Sequence, residues 1–168
     1  MARGLKIAIV VVLIGAAAGI AYWQHQRADR AEAEATAQHE AAAAMKDVTT
    51  AQTSLSDQLR SATTGVLTAS MISMPRAGAA ITDTVLPVID GYLAKLDRAL
   101  LMSTAYLAFH PDLPQSTRDA LAKLEREAKQ LHSFRDQLVE LADQAAKGTL
   151  TLDDLAGQLA AASLQLLR

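Results

Sequence analysis

Four histidines, His25, His39, His110 and His132, are the side chains of this 168-residue chain best suited to hold a metal ion or to move a proton near neutral pH. Their spacing argues against the first role. No two lie three or four residues apart, the separation that brings two imidazoles onto one helix face, and no Glu-x-x-His occurs, so the di-iron bundle pattern fails. His110-Pro111-Asp112 offers two ligand types in one loop but lacks a second contributor, and an exposed loop histidine is the simpler reading. The absence of cysteine excludes disulfides, thiolate metal sites, c-type haem and a cysteine nucleophile. There is no G-x-S-x-G, no S-x-x-K, no phosphate-cradling glycine loop and no G-x-G-x-x-G. The carboxylates stand among Lys and Arg at helical spacing, where their ordinary role is solvation. Met71 and Met74 could offer soft ligands or a plastic surface, although filling a core or turn is the plainer use. No catalytic residue, cofactor or metal is assigned, and no enzyme is expected.

The remaining chemistry is that of contact. Gly15 and Gly19 form G-x-x-x-G inside an apolar run, and small residues four apart let two helix backbones approach closely. Gln52, Leu55 and Leu59 lie on a stripe that repeats every seven residues: Ala41, Met45, Val48, Gln52, Leu55, Leu59, Ala62, Val66 and Ala69. Gln52 is the polar exception, either a register-fixing residue in a helix pair or a solvated position at the stripe edge. These five residues are the candidate interaction positions. A nucleic-acid partner is not expected. Net charge is −2, and setting aside Arg3 and Lys6 leaves 14 of the 16 basic residues against 18 acidic ones, with no Lys/Arg run.

The elements that must carry these positions are helical. Alanine and leucine dominate, while aromatics are limited to Trp 1, Tyr 3 and Phe 2, a composition suited to helix packing rather than to a β-rich core. Residues 1–6 are a short basic tail. Residues 7–23, IAIVVVLIGAAAGIAYW, are uncharged and end in Tyr22-Trp23, where a membrane interface favours aromatic rings. Seventeen helical residues span roughly 25 Å, the short end of a transmembrane helix. The rival reading is a signal peptide cleaved near Ala16-Ala17-Ala18. The basic N-terminus predicts an N-in, C-out anchor in an inner (cytoplasmic) membrane, with the rest of the chain periplasmic.

Residues 24–44 read as an Ala-rich helical stalk and residues 45–168 as a bundle domain. From Gln24 to about Ser70 there is no proline, and Gly65 is the sole glycine. Pro75 and Gly78 predict a turn between roughly 75 and 83, with a kinked continuous helix as the alternative. Arg76, Asp83 and two prolines argue against a second span over 71–87. A helix over Thr84–Phe109 buries Val85, Ile89, Tyr92, Leu96, Leu100, Ser103 and Leu107. The next helix is expected to be capped by Asp112, or later by Ser116, and to end at Lys147-Gly148. Its stripe is Leu121, Leu124, Ala128, Leu131, Leu138 and Ala142. A short last helix is capped by Thr151 with Asp154, stapled by Leu150 onto Leu155, and striped by Leu152, Leu155, Leu159, Ala162 and Leu166. The short link at 110–113 predicts an antiparallel hairpin that sets Tyr92 beside Leu131, Leu100 beside Leu124 and Ile89 beside Phe134.

The expectation is an all-α chain: one transmembrane helix, a stalk, then a three- to four-helix antiparallel, coiled-coil-like bundle. Its expected role is protein–protein interaction with an envelope partner, or self-association as a homo-oligomer, of an assembly, accessory or immunity type. The alternative is a bundle that binds a small apolar ligand or lipid among Tyr92, Tyr106, Phe109, Phe134 and the Met-rich turn.

Overall fold

The computed structural model describes the backbone of residues 2–110 and 112–166 and the side chains of residues 24–110, 112–159 and 161. The described chain is all-helical: α1 Ala2–Ser70, α2 Met74–Ala80, a π-helical turn Ile81–Val85, α3 Leu86–Phe109, α4 Gln115–Ala146 and α5 Leu152–Leu166. Among the described residues no helix is long and apolar enough to cross a membrane; the side chains of the expected span 7–23, with Gly15 and Gly19, lie outside those described.

The long α1 follows from its composition, which supplies strong helix formers and no internal proline after Gln24. Its end corrects the expected turn. The chain reverses at 71–73, where the Ala69 carbonyl accepts hydrogen bonds from the N–H of Ile72 (3.0 Å) and of Ser73 (3.1 Å), and Ser73 is fully extended. Pro75 then occupies the first turn of α2 instead of breaking a helix. The reason is that first-turn N–H groups have no partner inside the helix, so a proline costs nothing there. From Met74 to Phe109 the chain stays helical, and the predicted start at Thr84 is not a boundary. The π turn sits just before Pro87, and the Leu86 N–H bonds back to the Ile81 carbonyl, five residues earlier. A proline ring inside a continuing helix collides with the carbonyl four residues back, and the extra residue of a π turn absorbs that misfit.

α2 and α3 form the middle of the bundle, in close contact with α1 on one side and α4 on the other; α5 packs on α4. The antiparallel α3–α4 hairpin is as predicted, with Asp90 on α3 opposite Arg135 on α4. Tyr92, Leu131, Ile89 and Phe134 belong to one buried cluster, with Leu100 and Leu124 against it. Polar pairs bracket it: the Arg135 Nε donates to Asp90 Oδ1 at 2.7 Å, and the Tyr92 Oη donates to Glu127 Oε1 at 3.0 Å. Burial and then Glu127 push the Tyr92 phenol well above its ordinary range, so the ring stays neutral.

The stripe on α1 follows the expected heptad at Ala41, Val48, Leu55, Leu59, Ala62 and Val66 and departs from it at two positions, 45 and 52. Ala41, Ala44, Val48 and Val66 are buried, and Ala51, Leu55, Leu59 and Ala62 pack against the core, while Met45 and Gln52 face solvent. Ala44 and Ala51 replace Met45 and Gln52 because the small methyls let α3 lie close. The packed part of α1 reaches back to Glu34, which faces His110 at the far end of α3.

Asp112 does not cap α4. The helix starts at Gln115 with Pro114 at the N-cap and no side-chain cap, since Pro114 keeps Leu113 out of helical geometry. Its other end is a Schellman motif: Gly148 at φ 67 donates to the Ala145 carbonyl at 3.0 Å, and Thr149 donates to the Gln144 carbonyl at 3.1 Å. A reciprocal capping box then opens α5. The Asp154 N–H donates to Thr151 Oγ1 and the Thr151 N–H donates to Asp154 Oδ2, each at 3.2 Å. Leu155 and Leu159 are buried and Leu150 packs against the same core, but Leu152 is exposed. The staple residue before the cap, not the first helical residue, closes this end. Ala162 and Leu166 lie outside the described side chains.

Candidate functional site

Among the described residues, three of the seven exposed large apolar side chains lie together at one place, while Met45, Leu101, Val139 and Leu152 are scattered singly over the helices. Met71 is 81% exposed and Ile72 62% exposed at the α1–α2 reversal, and Leu67, one turn earlier, is also exposed. The flanking sequence is free of charge from residue 61 to residue 75, between Arg60 and Arg76. The reversal is held by hydrogen bonds from the N–H groups at the bend itself. Met71 N–H donates to the Leu67 carbonyl (3.3 Å), Ile72 and Ser73 bond to Ala69, and the Ser70 hydroxyl donates to Leu67 at 2.7 Å. What remains pointing outward is hydrocarbon and thioether. Met74, by contrast, is half-buried and packs against the core, so the two methionines do not act as a pair.

Beside this apex lies an open groove of about 510 Å³ between α2 and α4, lined by Pro75, Gly78, Thr82, Asp83, Leu86 and Val139, among others. Its floor exists because Gly78 brings the two helices together: a Cβ there would meet the Ala142 carbonyl oxygen at 2.6 Å. The π turn supplies Thr82 and Asp83 to its rim. Asp143, also on the rim, is engaged by Lys147 one turn later.

The candidate interaction residues do not gather at this site. Gln52 is exposed on the middle of α1, which is the solvated-edge reading, and Leu55 and Leu59 are half-buried against the core. The histidines are dispersed: His25 sits 3.3 Å from Asp29, His132 3.3 Å from Asp97, and His110 faces Glu34. Among the described residues no group of three or more His, Asp or Glu is placed to hold a metal ion. The His110–Glu34 contact ties the base of α3 to α1. The Nε2 is sealed from solvent and lies 2.8 Å from Glu34 Oε1, yet off the line of a directed N–H···O bond. Tyr106 lies against the same imidazole, with ring centroids 4.8 Å apart. Tyr92 and Phe134 are core residues, and Tyr106 and Phe109 are half-buried.

Met71 and Ile72 were legible in the sequence only as part of an apolar stretch. With the first helix expected to end near Ser70 and the turn at 75–83, they fall in the interrupted stretch between the two, and the usable signal is the uncharged run on either side of them. No family model matches the chain, and no curated protein or solved structure is similar to it.

Proposed function

We propose that the chain is a membrane-anchored helical protein of the bacterial cell envelope that acts by contact rather than catalysis. In this reading residues 7–23 hold it in the inner membrane with the N-terminus inside, and Gly15 and Gly19 let two anchors pair. The described helix α1 then carries the apex outward. From Gln24 to Ser70 an unbroken helix measures ~70 Å at 1.5 Å per residue. It is braced over most of that length by α2 and α3. Such a device presents a contact surface at a set distance from its base. The observation that carries the reading is the exposure of Met71 and Ile72 at the far end of that brace. Single exposed apolar residues such as Leu101 are ordinary, but three adjacent ones, Leu67, Met71 and Ile72, on an uncharged apex make a patch that a partner would cover.

The lack of native cysteine makes a direct test simple. Single-cysteine forms I72C and S56C place a thiol at the apex and at an exposed site in the middle of α1. Both are reacted with a maleimide in native envelopes and again after purification. The proposal requires I72C to be shielded in the envelope and open once purified, with S56C open in both. Equal labelling of the two in envelopes refutes it.

A further inference from the structure

We infer that the apex inserts into a lipid surface other than the membrane that anchors the chain, so that the protein bridges two bilayers; this rests on the contact reading above and names the partner of the same site. Four observations converge on lipid. The first is area. A convex turn displaying Leu67, Met71 and Ile72 offers a patch of at most a few hundred Å². A stable protein–protein interface needs ~800 Å² from each partner, which counts against a second copy or a flat protein surface docked at the tip alone. A bilayer interface sets no such requirement, because a few side chains entering ~5–10 Å are each surrounded by hydrocarbon.

The second observation is charge. No ionisable group occurs from residue 61 to residue 75, and the first one, the exposed Arg76, sits where it would meet headgroups as the tip enters. The third is the backbone. A loop entering a bilayer must satisfy its own polar groups, because hydrocarbon offers no partners. Here the N–H groups of Met71, Ile72 and Ser73 are all bonded internally, and Pro75 has none to satisfy. The fourth is reach. The unbroken helix places the apex up to ~70 Å from Gln24, which in this reading keeps it away from the anchoring membrane.

The test uses the full chain reconstituted in phosphatidylcholine–phosphatidylglycerol donor vesicles, mixed with dye-labelled, protein-free acceptor vesicles of the same lipids. Captured acceptor dye is read after donor vesicles are isolated by flotation. Wild type is expected to capture acceptors, and the double substitution M71S/I72S, at exposed positions that leave the core intact, to lower capture at least ten-fold with an unchanged circular dichroism spectrum. Equal capture by the variant overturns the inference. So does capture only when acceptors also carry the chain, which identifies a second copy as the occupant. Absent capture with the chain resisting alkaline extraction overturns lipid bridging alone and leaves the apex to a protein partner. A chain extracted by alkali overturns the anchor as well.

Discussion

Gly78 and Gly91 lie on the same helical run, and alanine at each should have opposite consequences. At both positions the helix gains ~0.5–1 kcal/mol, because glycine loses more backbone entropy than alanine. A Cβ on Gly91 meets nothing within 4 Å, so the gain stands. A Cβ on Gly78 meets the Ala142 carbonyl oxygen at 2.6 Å, the Ala146 nitrogen at 2.8 Å and the Ala146 Cα at 3.3 Å. All are backbone atoms of α4, so no side chain can swing aside and the two helices must separate. Separation strips cover from Ala77, Leu138 and Ala142, all buried at this crossing. Forcing a methyl into a packed core costs ~1–3 kcal/mol, and the rigid neighbours place this site in the upper half of that range. Net, Gly78→Ala should destabilise by ~1–2 kcal/mol while Gly91→Ala stabilises by up to ~1 kcal/mol. At ~2–4 °C per kcal/mol for a chain of this size, the two variants should melt roughly 5–10 °C apart. Thermal melts of the full chain, followed by circular dichroism in one detergent, make the comparison, with Gly65→Ala as a second open-site control. If Gly78→Ala melts with or above Gly91→Ala, the close α2–α4 crossing and the groove above it are wrong.

Thr151→Ala removes one half of the capping box and should cost ~1 kcal/mol, seen as faster amide exchange confined to the start of α5. The Thr151 hydroxyl and N–H hold the Asp154 carboxyl below its ordinary range. That contribution is complete above the ordinary aspartate value of ~3.9 and disappears as pH falls through the lower folded value, so acid should loosen α5 in wild type and change it less in Thr151→Ala. Tyr92→Phe keeps the buried ring and deletes one hydrogen bond to a half-exposed carboxylate that water can resolvate, so the loss should be at most ~1 kcal/mol. Because burial raises the phenol's folded value, Tyr92 stabilises fully below ~pH 10 and less above it as the unfolded chain ionises. The alkaline melting curve should therefore fall more steeply in wild type than in Tyr92→Phe.

The sequence alone determined the helical class, the two local end signals around 147–154 and the antiparallel α3–α4 hairpin. Each is decided within a few residues. Lys147-Gly148 needs only a glycine able to take positive φ, Thr151 and Asp154 need only their three-residue spacing, and a five-residue link brings two amphipathic stripes together antiparallel. The tertiary structure decided where α1 ends and what that exposes. Pro75 has the same local meaning whether it ends one helix or starts the next; the choice depends on α2 and α3 running antiparallel to α1 with Glu34 opposite His110, which places the reversal at 71–73. The same pairing selected Ala44 and Ala51 over Met45 and Gln52 on α1, because close helix approach rewards small side chains that a heptad count cannot weigh. It also gave Gly78 a packing role and called for a π turn before Pro87. Met71 and Ile72 became the apex by the same route: their exposure is a consequence of a long-range register, and no property of residues 71–72 themselves announces it.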